Sequence, residues 1–260
     1  SRCESRPTKI AQEKRKVIRM KAGKPLYVVM LSVLILIVPA YSATIFYDDF
    51  EGGLEQWEVV SGQWKSVERQ GNWVMELTLP VNVNSKLINI KARRFDDFTV
   101  ETRINQVTGD AGAHLYFRNN AKPGNNGEGY WFGFITSAWR GPVALQDTVH
   151  FWKVLANPQE LLRIPLKLPG DQWLRLKVEA RGKHAKMWYQ REDIDDDYIL
   201  VFETDALVEF EKGKLGIWGG GQKVWVDYIL VYDAEGPSQR PVNSAGKLAL
   251  RWGEVKIRSE

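Results

Sequence analysis

The chain has 260 residues, 44% of them hydrophobic and 12% aromatic, with a formal net charge of +4. Residues 1–24 hold nine of the 36 Lys and Arg and two of the 32 acids, a net of +7, which leaves residues 25–260 with 27 bases, 30 acids and a net of −3. Beyond its basic front the chain therefore has no electrostatic footprint for nucleic acid, and because Cys3 is the single cysteine, it has no disulfide or thiolate metal site there either.

The front reads as an export signal. Lys21 and Lys24 precede a 13-residue apolar run, Leu26 to Val38, in which Ser32 is the only polar residue. Ala40-Tyr41-Ser42 then places small residues where a signal peptidase reads. The run is shorter than the roughly 20 residues of a membrane span. Residues 1–42 are thus expected to be an N-terminal extension and signal peptide cleaved after Ser42, leaving a secreted or cell-envelope protein that starts near Ala43. Met20 suits the start of such a signal, with residues 1–19 an over-extended reading frame or a long n-region. An uncleaved signal anchor is the competing reading.

From Ala43 to Asp233 the pattern is all-β. Phe98, Val100, Thr102 and Ile104 alternate with Thr99, Glu101, Arg103 and Asn105; Leu174, Leu176, Val178 and Ala180 alternate with Arg175, Lys177 and Glu179. Val224, Val226, Tyr228 and Leu230 alternate with Trp225 and Asp227. Period two over six to eight residues predicts strands with one face in a core, and similar runs occur at 72–79, 111–118, 129–136, 148–155 and 184–190. Turn signals separate them, with Arg181-Gly182-Lys183 reading as a tight hairpin. Asn157 to Leu162 is the one helical candidate. The predicted architecture is a two-sheet antiparallel jelly-roll β-sandwich over 43–233, followed by a linker and short tail over 234–260. In that tail, Leu248, Leu250, Trp252, Val255 and Ile257 suit an edge strand, a docking helix or a partner-binding segment.

Strand facing singles out a candidate ligand surface. With Ala113, Leu115 and Phe117 in the core, His114, Tyr116 and Arg118 turn to the opposite face. With Val149, Phe151 and Leu155 in the core, His150 and Trp152 do the same, and Trp131 stands on the aromatic strand beside them. Rings that stack on C–H faces, beside a few polar groups that fix orientation, suit a sugar. Catalytic patterns are missing: no strand has the Glu-x-Asp-x-(x)-Glu run of retaining glucanases, and no nucleophile elbow, zinc pair or P-loop appears. Glu192-Asp193-Ile194-Asp195-Asp196-Asp197 reads as a solvated acidic loop.

Two bookends carry a resemblance. Phe46 to Gly53 with Trp57 and Trp64 opens the all-β stretch, and Gly213-Lys214-Leu215-Gly216-Ile217-Trp218 running into Val224 to Tyr232 closes it. With Asp97 to Arg103, Gly112 to Arg118 and Gly129-Tyr130-Trp131-Phe132 between them, residues 45–233 resemble the concanavalin A-like (laminin-G-like) jelly-roll superfamily. The resemblance implies a carbohydrate-binding fold that meets glycan or polysaccharide. It also implies a structural Ca²⁺ at Asp49, Glu51 and Asp227, where first and last strands would lie side by side, unless these carboxylates only cap turns and pair with Lys or Arg. One branch, the 3-keto-disaccharide hydrolase domain, shares the layout. It implies an alternative glycoside hydrolase activity, for which Glu101, Glu128 and His114 are the first candidates. A third expectation is an adhesion or assembly role through residues 246–258.

Overall fold

The structure, a computed structural model, describes residues 44–78, 86–108, 112–135, 146–167, 171–220 and 223–233. The expected export signal, Cys3 and the tail at 246–258 lie outside the described residues. Among the described residues there are fifteen strands and no helix: β1 (Thr44–Asp48), β2 (Trp57–Val59), β3 (Trp64–Arg69), β4 (Asn72–Thr78), β5 (Lys86–Ile90), β6 (Phe98–Thr108), β7 (Gly112–Asn119), β8 (Gly129–Ile135), β9 (Thr148–Val154), β10 (Gln159–Pro165), β11 (Trp173–Arg181), β12 (His184–Arg191), β13 (Ile199–Thr204), β14 (Lys214–Gly219) and β15 (Lys223–Tyr232).

They form two antiparallel sheets. One has eight strands in the order β13-β12-β11-β6-β15-β4-β3, with β1 also paired to β15; the other has seven, in the order β10-β9-β8-β7-β14-β5-β2. Alternating apolar residues from both sheets meet in one core. Leu115, Phe117, Phe132, Phe134, Val149 and Phe151 come from the seven-stranded sheet; Val100, Ile104, Leu174, Leu176, Val178, Val224 and Val226 come from the eight-stranded one. Each such side chain, fully buried, contributes about 1.5–3 kcal/mol, and this core replaces the cross-links the chain lacks.

The expected hairpin between β11 and β12 is present: Arg181 pairs with His184, and Gly182 takes the left-handed φ of 51° that the turn requires. The expected helix at Asn157 to Leu162 is not. Residues 159–165 form β10, an edge strand that pairs with β9 through a bulge between Glu160 and Leu162. Main-chain pairing to an available sheet edge outweighs the weak helical signal of six residues.

Two further bulges reverse parts of the expected facing, because one extra residue moves every later side chain to the other face. On β15 the pairing with β6 skips Asp227, so Val226 opposes Ile104 and Tyr228 opposes Arg103. Ile229 and Val231 therefore enter the core, while Tyr228 and Leu230, expected there, cluster with Tyr232 on the outer face. On β7 the pairing with β14 skips Arg118, so Phe117 opposes Leu215 and Asn119 opposes Lys214. Leu155, also expected in the core, lies half-buried just beyond β9, which ends at the buried Val154.

Candidate functional site

Where β7, β8, β9 and β14 turn their outer face away from the core, the register sets polar aromatics in two rows. Trp218, His114, Gly133, His150 and Arg163 oppose one another in sequence across β14, β7, β8, β9 and β10. Gly216, Tyr116, Trp131, Trp152 and Glu160 form the next row. His114, Tyr116 and His150 are the buried floor of this face, and Trp131, Trp152 and Trp218 are half-buried above it. Five of the six residues expected to bind ligand thus share one surface: His114, Tyr116, Trp131, His150 and Trp152.

Trp218 was not among the expected residues but belongs with them. Its ring lies 4.7 Å from that of Trp131 and 4.8 Å from that of His114. The signal was available, since Leu215 and Ile217 alternate into the core and so turn Gly216 and Trp218 outward.

The two histidines meet across a glycine. His114 and His150 both pair with Gly133, one from each side, and lean over it until their Nε2 atoms are 2.6 Å apart. A Cβ on Gly133 would lie 2.2 Å from the Ala113 carbonyl oxygen and 2.8 Å from the His114 ring, so only glycine leaves the gap open. The ring planes are 14° apart. Parallel rings in face contact keep their atoms about 3.5 Å apart, so at 2.6 Å these imidazoles meet edge to edge through a shared hydrogen. Burial, then the neighbouring His150, holds His114 well below the usual histidine range. Burial, then the Arg163 charge, lowers His150 to about 4. Both rings are neutral near pH 7.

Buried polar atoms nearly always have a partner. Among the described residues eight buried side-chain nitrogens or oxygens have none, and five of them belong to this face: His114 Nδ1, Tyr116 Oη, Trp131 Nε1, His150 Nδ1 and Trp152 Nε1. Burial, followed by the Glu128 charge, also raises the Tyr116 phenol, which keeps its proton. The unpartnered groups of this face are therefore uncharged hydrogen-bonding groups on or among the indoles.

Arg118 is a correction. The bulge gives it a left-handed φ of 48° and takes it off this face. Its guanidinium donates to the carbonyls of Asp96 at 2.8 Å, Gly182 at 2.6 Å and Phe210 at 3.2 Å, and stands 3.6 Å from the Asp97 carboxylate. Gly182 is the tip of the β11–β12 hairpin of the opposite sheet, so Arg118 pins the two sheets together and is not available to a ligand.

Asp49 and Asp227 both act on the Tyr47 phenol where β1 pairs with β15. Asp227 is buried, accepts from Asn72 Nδ2 and pairs with Arg103 at 3.3 Å. Asp49 accepts from Tyr47 Oη at 3.4 Å and from the Glu51 amide, while the Glu51 side chain is exposed. Among the described residues no three His, Cys, Asp or Glu gather to hold a metal ion. Glu101 accepts from Tyr198 and Tyr232 on the outer face of the eight-stranded sheet, with the whole sandwich between it and His114. Of the hydrolase candidates, Glu101 therefore does not converge with His114, while Glu128 acts on Tyr116 of the same face. The acidic loop is less solvated than expected: Glu192 bridges Arg103 at 2.7 Å and Arg175 at 2.7 Å.

Two antiparallel sheets packed face to face in this order define the protein as an all-β, two-sheet jelly-roll sandwich. A Bacillus subtilis protein described as having a galectin-like fold is similar over 74% of this chain and 96% of its own, at 12% identity and a TM-score of 0.56. Lectin I from Ulex europaeus, solved with the methyl glycoside of α-L-fucose, is similar over 72% of this chain and 96% of its own, at 12% identity and a TM-score of 0.52. The exoplasmic/lumenal domain of VIP36, solved with Ca²⁺ and Man3GlcNAc, is similar over 74% of this chain and 88% of its own, at 11% identity and a TM-score of 0.51. No family model matches the chain, and no curated protein matches its sequence. At such identities the likeness is one of fold.

Proposed function

We propose that the chain is an exported carbohydrate-binding protein that holds glycan, without catalysis, on the outer face of its seven-stranded sheet. His114, Tyr116, Trp131, His150, Trp152 and Trp218 are the contacts. One observation carries the reading: five buried polar atoms without partners are concentrated on this one face. Such atoms cost about 1–3 kcal/mol each when unpaired, and sugar hydroxyls would satisfy them while the indoles pack on the C–H face. Two similar folds solved with saccharides, from Ulex europaeus and VIP36, support the choice of ligand. The apolar run at 26–38 supports export.

A glycan-array screen of the purified chain tests this, beside Trp152→Ala and Trp218→Ala. Binding that falls at least tenfold in both variants is expected. A folded chain that binds no glycan, or variants that bind as the parent does, would overturn the reading.

A further inference from the structure

We infer that the chain has a second saccharide site, at Trp173, Asn105 and Trp225 on the outer face of its eight-stranded sheet, and so bridges two glycan chains; this rests on the glycan-binding reading of the opposite face. Leu174, Ile104, Val224 and Val226 enter the core, so Trp173, Asn105 and Trp225 turn outward. Register sets the three in one row: Trp173 on β11 and Trp225 on β15 oppose Asn105 on β6 from its two sides. Strands two places apart in a sheet are separated by roughly 10 Å. The half-buried indoles nevertheless have ring centroids 6.4 Å apart, with planes at 34°, so they lean together over the strand that carries Asn105.

Asn105 is 3% exposed, and its Oδ1 has no hydrogen-bond partner. Gln172, which precedes Trp173, has an unpartnered Oε1 as well. With Asp147 Oδ1, these are the only such atoms among the described residues that lie away from the histidine face. The other polar groups of the row are in use. Trp225 Nε1 donates to Glu76 at 2.7 Å, and Arg103, stacked 3.9 Å from the Trp173 centroid, pairs with Glu192 and Asp227. A carbonyl oxygen only accepts, so the ligand must bring an O–H or N–H, and an indole takes C–H surface. A saccharide carries both in one ring. The arrangement repeats that of the other sheet, where Trp131 and Trp218 lean to 4.7 Å over β7 and the unpartnered His114. The outer faces of two packed sheets lie on opposite sides of the sandwich, so an oligosaccharide on one is not the oligosaccharide on the other.

The test is calorimetry of the full chain with the oligosaccharide ranked first on the array, beside aggregation of beads coated with it. The parent is expected to bind two oligosaccharides per chain and to aggregate the beads. Trp173→Ala and Asn105→Leu should each bind one and leave the beads dispersed. Asn105→Leu removes an acceptor that has no bond to lose, so its Tm should be no lower than the parent's. A lower Tm with two oligosaccharides still bound would make Asn105 a structural residue and overturn the inference. Trp152→Ala should also bind one, and its fall on the array then includes the loss of avidity. One oligosaccharide per parent chain, removed by Trp152→Ala, would overturn the second site and leave glycan binding standing. No binding of any saccharide would remove both readings together.

Discussion

His114 and His150 belong to strands that do not pair with each other, yet their Nε2 atoms are 2.6 Å apart because Gly133 lies between them. Nothing larger than a hydrogen atom could occupy that position on β8, so the two imidazoles meet there, and burial holds both neutral. Acid is the direct challenge to such an arrangement.

Burial, with the Arg163 charge behind it, brings His150 from 6.5 to about 4. The unfolded chain takes up a proton near the unperturbed value, which the folded chain refuses until about pH 4. Between those values the unfolded state binds more protons, so stability is full above the unfolded value and falls as pH drops through the window. At about 1.4 kcal/mol per pKa unit, the His150 loss is about 3 kcal/mol, and His114 acts in the same direction. Denaturant titrations at several pH values between neutrality and pH 4 should show this fall, and His150→Phe should flatten it. An unchanged midpoint across the window would contradict it.

Glu76 governs a lower window. Burial alone would raise its carboxyl, but the Trp225 indole N–H at 2.7 Å, Arg69 at 2.9 Å and Lys65 at 3.1 Å more than offset this and hold it at about 2. Its contribution is present above the ordinary value of 4.5 and is lost as pH falls toward 2. Glu76→Gln should therefore destabilise the protein at pH 7 and narrow the gap to the parent at low pH, as read from Tm against pH. A gap that stays constant down to pH 2 would count against the charge of Glu76 as the cause.

Arg118→Met should lower stability by about 3–5 kcal/mol, the usual cost of removing one partner from a buried charged network. The carbonyls of Asp96, Gly182 and Phe210 lose their donor together. Glycan affinity of the folded fraction should not change, because the guanidinium points to the other sheet. A weakened affinity in a variant of undiminished Tm would return Arg118 to the binding face.

Chelator is expected to change neither Tm nor glycan affinity. Asp227 already has a cation in Arg103 and a donor in Asn72, so a divalent ion would have to displace both. A Tm that rises on adding calcium to chelator-treated protein would show that such a site forms.

Much of this was legible in the residues, and what was not has a single physical origin. Alternation along β7, β8 and β9 places His114, Tyr116, Trp131, His150 and Trp152 on one face without reference to coordinates. Period-two counting fails where a strand gains a residue. Arg118 continues the pattern of His114 and Tyr116 in sequence, but its left-handed backbone ends that pattern. Asp227 does the same to Tyr228 and Leu230. Neither bulge contains a glycine or proline, so no local signal marks them. The meeting of the two histidines was hidden for another reason: Gly133 looks ordinary within Gly-Tyr-Trp-Phe-Gly-Phe until the register sets it between them.

The pairing of Thr44 with Tyr232 brings the first and last strands of the sandwich together. Residues 188 positions apart thus lie side by side on the eight-stranded sheet. The indole face belongs to the other sheet. The sheet that carries both of these strand ends is thus not the one that carries the histidine pair.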